Sequence, residues 1–148
     1  MATTVKFYNS FATKSMSGQI NLSTDPFKIM LVDNTYTFDP DAHDSRSDIT
    51  GEITGTGYTA GGQNLTSESW VQDNANNRTI FDFDNPEWTT ATLSAYGAVI
   101  YKDSGSAATD WLVLFWDFGG IQTVTGGDFE LNLNAVGAFV VRQEPVLP

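Results

Sequence analysis

The sequence predicts an all-β fold: an antiparallel, jelly-roll-like β-sandwich with a short N-terminal helix and one short acidic helix or loop. The chain has 148 residues, of which 41% are hydrophobic, enough for the core of one domain over residues 1–148. Only 17% of its residues are charged, and Thr, Ser, Asn and Gly fill the deficit, which favours strands and turns over exposed helices. The second half contains short apolar segments separated by turn residues, as in sandwiches.

The N-terminal segment, residues 1–18, is predicted to contain a helix over residues 5–16 or to act as a docking arm. Apolar residues recur there at spacings of three and four, namely Phe7, Tyr8, Phe11, Ala12 and Met16. Such spacing places them on one helical face. Gly18 follows at the point where a helix is expected to end.

The next segments alternate between a buried strand and loops. The compact apolar run FKIMLVD, residues 27–33, predicts a buried strand in the middle of a sheet. In the acidic connection that follows, Asp39 is a candidate cap for a short helix, with Pro40 in its first turn. The glycine-rich stretch GTGYTAGG, residues 55–62, predicts a loop or a set of tight turns.

The second half is predicted to form strand after strand. The segments with strand patterns are residues 78–84, 95–103, 110–118, 129–134 and 138–141. SGSAAT is a plausible hairpin loop, and TVTGGD is expected to be the turn before residues 129–134. The tail, residues 143–148, is expected to lie outside the core.

The charge balance excludes two classes of partner. The formal net charge is −11, and the seven basic residues are scattered singly along the chain. Nucleic acids and anionic membrane surfaces are bound by clustered Lys and Arg, so neither is an expected partner. No run approaches the 18 apolar residues of a membrane span, and no signal peptide is indicated, so synthesis in a cytoplasm is expected.

The sequence supplies few groups for catalysis, and we predict that the protein is not an enzyme and uses no cofactor. His43 is the only histidine, and the absence of Cys excludes a thiol nucleophile. Asp82 and Asp84 lie two residues apart, a spacing that allows a carboxylate pair on one strand face. Solvated acids on an exposed strand are the simpler interpretation.

A cation site is the alternative use of the acidic residues. The candidate ligands, which offer the hard oxygen atoms that Ca²⁺ takes, are Asp39, Asp41, Asp44, Asp82 and Asp84. These residues form two clusters in the sequence, one that begins at Asp39 and one that begins at Asp82. Neither fits the EF-hand loop, because the sixth position of each is not Gly and the twelfth is not Glu.

Aromatic residues are the candidates for contact with a partner. These are Phe7, Tyr8, Phe11, Trp70, Trp88 and Trp116. An exposed Trp on a sandwich can bind a sugar ring or another protein, whereas most large aromatics between two sheets are core. Trp111 and Trp116 lie five apart, so on an unbulged strand they point to opposite faces and at least one is expected to leave the core.

The order of motifs resembles that of small structural proteins encoded in tailed-phage genomes. The most specific pieces are DPDAHDSRSDITGE, GYTAGG and the strand TATLSAYGAVIY followed by FWDFGG, and the resemblance spans nearly the whole chain. It implies a capsid decoration (cement) protein that binds the assembled phage head and stabilises it.

Several further expectations follow from this resemblance. The partner is the major capsid protein, the protein forms a homotrimer, and it is located on the virion after synthesis in the bacterial host cytoplasm. A tail, fibre or neck component that acts as a carbohydrate- or receptor-binding module is the alternative. Because the chain is acidic, docking on the head is expected to depend on salt.

Overall fold

Eight strands, one α-helix and one 3-10 helix make up the fold in a computed structural model, which describes residues 4–134 and 137–142. The strands are β1 (Thr4–Phe7), β2 (Phe27–Val32), β3 (Gln63–Asn64), β4 (Ser69–Asp73), β5 (Arg78–Asp82), β6 (Glu87–Lys102), β7 (Leu112–Glu130) and β8 (Phe139–Arg142). Helix α1 spans Asn9–Met16, and the 3-10 helix spans Arg46–Asp48. The predicted tail, residues 143–148, lies outside the described residues.

The strands form two antiparallel sheets, which confirms the predicted all-β, sandwich-like fold. The larger sheet has the order β1-β7-β6-β2-β3, and the smaller has the order β4-β5-β8. As predicted, β2 lies inside a sheet, between β6 and β3. Within the described residues, no helix is both long enough and apolar enough to cross a membrane.

Strands β6 and β7 form a hairpin of 16 and 19 residues that is the centre of the larger sheet. The predicted turn TVTGGD lies inside β7, so the prediction of a separate strand over residues 129–134 is wrong. Val124 pairs with Leu93 of β6, and Gly127 pairs with Ala91. The register shifts between these two pairs, so the extra residue of β7, in the segment that contains Gly126, is accommodated within the strand. Glycine-containing bulges therefore continue the strand where a turn was expected.

The predicted helix over residues 5–16 begins later than expected. Residues 4–7 form β1, in which Val5 pairs with Trp116 and Phe7 pairs with Leu114 of β7. Helix α1 starts only after Tyr8, whose backbone is extended, and the chain turns at Gly18 with a φ of 80°. The described part of the N-terminal segment is therefore built into the sheet and is not a free docking arm.

The acidic connection after β2 covers one face of the larger sheet. The Asp39 carboxylate accepts hydrogen bonds from the backbone N–H groups of Asp41 and Ala42, at 3.0 Å each, but caps a single turn and no helix. Tyr36 and Phe38 of this connection pack beside Phe115 of β7, with ring centroids 5.1 and 5.6 Å apart. The connection thus completes a second hydrophobic core.

The two cores lie on opposite faces of the larger sheet. Between the sheets lie alternate residues of the central strands and the inner residues of the smaller sheet, including Ile29, Leu31, Ala98, Ile100, Leu114, Phe81 and Phe139. The opposite face holds Met30, Val32, Val99, Tyr101 and Phe115. Each strand in the middle of the sheet is therefore buried on both sides.

A bulge in β7 corrects the prediction for Trp111, which directly precedes the strand, and for Trp116 within it. Ile100 pairs with Leu114 and the next residue, Tyr101, pairs with Leu112, so Val113 is the extra residue. One extra residue reverses the alternation of side chains along a strand. Trp111 and Trp116 consequently pack against the same core between the sheets, and neither leaves it.

The glycine-rich loop of residues 55–62 is held by a carboxylate and a Tyr hydroxyl. The Glu52 carboxylate accepts hydrogen bonds from the Tyr58 hydroxyl, at 2.8 Å, and from the backbone N–H of Gly61. The Tyr101 hydroxyl donates to the Gly61 carbonyl at 2.6 Å. These bonds bring the loop backbone against β2 at Gly62.

Replacement of Gly62 by Ala is expected to destabilise the fold strongly. Gly62 has a φ of 78°, and a Cβ there would overlap the carbonyl group of Ile29. Gly105 has a similar φ of 87° with open space around it, so Gly105→Ala isolates the conformational cost, about 1–2 kcal/mol. Urea unfolding should show a larger loss of unfolding free energy for Gly62→Ala, and equal losses would contradict the close approach.

Candidate docking surface

Exposed apolar side chains gather where the larger sheet meets the smaller one. Val5 and Phe7 of β1 are 38% and 39% exposed, and Val141 of β8 is 56% exposed. These residues line two adjoining parts of a groove, of about 580 and 470 Å³, between the two strands. We call this surface the β1–β8 groove. Contiguous exposed apolar surface of this kind is typical of contact with another molecule.

Both strands of the groove have one edge without a neighbouring strand. Within the described residues, β1 pairs only with β7 and β8 pairs only with β5. The inner wall between them is aromatic, because the Phe7 ring meets the Phe139 ring edge to face at 5.1 Å and the Phe11 ring at 5.6 Å. Unpaired strand edges present N–H and C=O groups to which an extended segment can bond.

A row of charged residues crosses the smaller sheet and ends at the groove. Asp73, Arg78 and Arg142 lie opposite one another on β4, β5 and β8. The Arg78 guanidinium binds the Asp73 carboxylate at 2.8 Å, whereas Arg142 faces Arg78 and has no ion pair among the described residues. No carboxylate is among the described residues that line the groove. The groove is therefore locally basic in an acidic protein.

Trp116 lines the groove and carries an unpaired donor. Its side chain is 9% exposed, and its Nε1–H, which is buried, has no hydrogen-bond partner among the described residues. A buried donor without an acceptor costs about 1–3 kcal/mol. The Trp116 ring lines both the groove and a second depression at the end of β7.

The aromatic residues predicted to contact a partner differ in their burial. Four of the six are buried, namely Tyr8, Phe11, Trp88 and Trp116. Trp70 is half-buried, with its ring 4.7 Å from that of Phe81, and only Phe7 is exposed. The alternation of residues along the sequence could not distinguish the buried aromatic side chains from the exposed one. The burial of a side chain on β1, for example, depends on strands formed by distant residues.

The structure does not bring the candidate metal ligands together. In the part of the chain that is described, no three His, Asp or Glu side chains are grouped to hold a metal ion. Asp39 caps its own turn, Asp41 accepts a hydrogen bond from the Asn9 amide, and Asp44 is exposed. The Asp82 carboxylate accepts from the Phe83 N–H, and that of Asp84 accepts from two hydroxyl groups, those of Thr66 and Ser67.

The only histidine belongs to a structural hydrogen-bond chain. His43 Nδ1 lies 3.0 Å from the Tyr36 hydroxyl, which lies 2.8 Å from that of Tyr8. Burial raises the pKa of Tyr36 to about 12 and raises the pKa of Tyr8 further, so both hydroxyls stay neutral at ordinary pH. This chain joins the acidic connection to the second core.

Most basic side chains are used within the fold. Five of the seven form ion pairs: Lys6, Lys28, Arg46, Arg78 and Lys102. The Lys14 ammonium lies 3.9 Å from the centre of the Trp111 ring. The excess of carboxylates over basic groups is consequently left to the surface, outside the groove.

Asp110 is a fully buried carboxylate whose bonds are all internal. Its carboxylate accepts from Arg46 Nε at 2.7 Å and from the backbone N–H and the hydroxyl of Ser104 at 2.7 and 2.8 Å. Burial alone would raise the pKa of Asp110, but the hydrogen bonds from Arg46 and Ser104 lower it below its usual value. Asp110 therefore fixes the hairpin loop between β6 and β7.

No known protein family, characterised protein or solved structure matches the chain.

Replacement of Asp110 by Asn is expected to lower the free energy of unfolding by about 2 kcal/mol, because a charged hydrogen bond to Arg46 is lost. A carboxylate with a lowered folded-state pKa stabilises the fold above its unfolded pKa, about 3.9, and this contribution disappears as pH falls. The loss of stability between about pH 5 and pH 2 should therefore be shallower in Asp110→Asn. It should not vanish, because the pKa values of Asp48 and Asp117 are also lowered.

Urea unfolding across this pH range measures both effects. Asp44→Asn is the matched control, since Asp44 is exposed, and its change should stay within about 0.5 kcal/mol. An unchanged pH profile in Asp110→Asn would contradict the assigned role.

Proposed function

We propose that this chain is a non-enzymatic structural protein of a tailed-phage virion that docks on the head as a decoration (cement) protein. The β1–β8 groove is the observation that carries the proposal. It places exposed Val5, Phe7 and Val141 beside two strand edges that no described strand covers, as a docking protein requires. The motif order that resembles small phage structural proteins supplies the class of partner, the major capsid protein.

The ionisable side chains that could take part in a reaction support a structural role, because they bond within the fold. The buried Asp110 carboxylate, the Glu52 carboxylate and the His43 ring each bond to loops or to a core residue. A cement protein needs such a rigid fold with docking surfaces and no reactive group. The proposal includes location on the virion surface.

The charge distribution supports docking that responds to salt. The chain carries −11, and the basic groups that are paired internally cannot neutralise the remaining carboxylates. Such a surface approaches a basic lattice favourably and other acidic surfaces unfavourably. Salt weakens this long-range term while it leaves apolar contact in the groove largely intact.

A carbohydrate-binding module of a tail, fibre or neck is the second candidate. A depression of about 390 Å³ at the end of β7, which shares Trp116 and Asn132 with the groove, combines Phe118 and Phe129 with the polar side chains of Asp128 and Glu130. Aromatic walls with a few polar groups suit a small polar ligand. A glycan screen in which specific binding is lost on Glu130→Ala, which lines the depression and not the groove, would favour this candidate over the first.

Added protein is expected to rebind to phage heads that lack it, with an affinity that falls on the order of tenfold between about 0.05 and 0.5 M NaCl. Sedimentation of heads with bound protein measures this, and an unrelated protein of similar negative charge reports non-specific adsorption. No binding at any salt concentration would reject the head-docking proposal. Binding that does not respond to salt would reject its electrostatic part.

Light scattering of the free protein tests the proposed trimer. We expect a mass near 48 kDa, three times the 16.1 kDa of one chain. Cyclic symmetry of this kind uses two different surface patches on each copy. A mass near 16.1 kDa at the same concentration would contradict a preformed trimer.

A further inference from the structure

We propose that the β1–β8 groove binds an extended segment of the partner protein as an added β-strand beside β8, with apolar side chains in the groove and a carboxylate beside Arg142. The identity of the partner as a capsid protein rests on the proposed function, but the strand and its side-chain pattern rest on the groove alone.

The register of β8 determines which side chains of an added strand face the groove. Phe139 is buried in the core, and Val141, two residues later, has the same parity and lines the groove beside Phe7. Val140 and Arg142 have the opposite parity. A strand bonded to the free edge of β8 therefore places every second residue against the aromatic wall, which favours Val, Ile, Leu or Phe at those positions.

The row of charged residues determines which residue type is favoured on the other face of the added strand, opposite Arg142. Asp73 and Arg78 already neutralise each other across β4 and β5, which leaves Arg142 as the terminal positive charge of the row. Like charges directly opposite on a sheet are unfavourable, and opposite charges are favourable. A carboxylate opposite Arg142 on the added strand offsets the unfavourable pairing of Arg142 with Arg78.

Trp116 is a third and independent observation. Its side chain lines the groove, and its buried Nε1–H has no acceptor among the described residues. An extended segment in the groove carries main-chain carbonyl groups, which accept hydrogen bonds whatever the side chains are. A segment bound in the groove thus brings acceptors of the kind that this donor lacks.

An unlike partner is favoured over a second copy of this chain. Two copies bring −11 each, so the repulsion of like net charges opposes their approach. A partner strand that carries one carboxylate in an otherwise neutral or basic surface satisfies Arg142 without this repulsion.

Selection from a displayed library of random octapeptides on the immobilised full-length protein tests the inference. The enriched peptides should have apolar residues at alternate positions and Asp or Glu at one position of the other parity. Selection on Arg142→Glu should replace that acid with Lys or Arg, and acidic peptides should bind this variant on the order of fivefold more weakly. A selected peptide should also shift the Trp116 indole N–H signal in the NMR spectrum, assigned with Trp116→Phe.

Two exposed valines of the smaller sheet provide a matched pair. Val141→Asp should abolish peptide binding, whereas Val71→Asp, at a site 54% exposed on the opposite edge, should leave it unchanged. Peptides without the alternating pattern, or peptides that bind Val141→Asp as well as the original protein, would overturn the inference.

Two further outcomes separate this inference from the proposed function. Self-association of the original protein that Val141→Asp abolishes would assign the groove to a second copy and overturn the choice of an unlike partner. Selection of the alternating peptides by a protein that does not bind phage heads would keep the added strand and reject the virion function.

Discussion

The long hairpin of β6 and β7 is the constraint on which the rest of the fold depends. Its strands, of 16 and 19 residues, are buried on both faces in the parts next to their connecting loop, so successive side chains there pack into two different cores. One core is supplied by the smaller sheet and the other by the acidic connection with Tyr36 and Phe38. The bulge at Val113 lets both Trp111 and Trp116 share the core between the sheets.

The unequal size of the two sheets accounts for the groove. Three strands face five, and the edge of the larger sheet at β1 extends past β8, where Val5 and Phe7 stay partly exposed. The rings of Phe7, Phe11 and Phe139 close part of this opening by packing on one another. A natural sheet edge is usually protected by charge, and Lys6, bound to Asp117, is the only charged side chain of β1. The groove is thus a consequence of the fold, and the residues of β1 that border it are mostly apolar.

Local sequence patterns predicted the strands whose burial follows from the pattern itself. They failed for elements whose structure depends on pairing with distant residues. The apolar run of β2 and the alternation in β5 indicated strands correctly, since burial follows directly from the pattern. Residues 5–7 have helical spacing but form β1, because their partners on β7 lie more than 100 residues away, as the Lys6–Asp117 bond illustrates. Val141 and Arg142 were missed as site residues because their role depends on the register with β5.

The location of one unpaired cation matters more for recognition in the groove than the net charge of the chain. At physiological ionic strength the interaction of exposed charges is screened over about 8 Å, so distant carboxylates act on the approach of a partner and much less on the bound strand. Among the described residues that line the groove, Arg78 is already bound to Asp73, and Arg142 has no ion pair. An acidic protein can therefore select an acidic segment, provided that the basic residue stands at an open strand edge and the acids stand elsewhere.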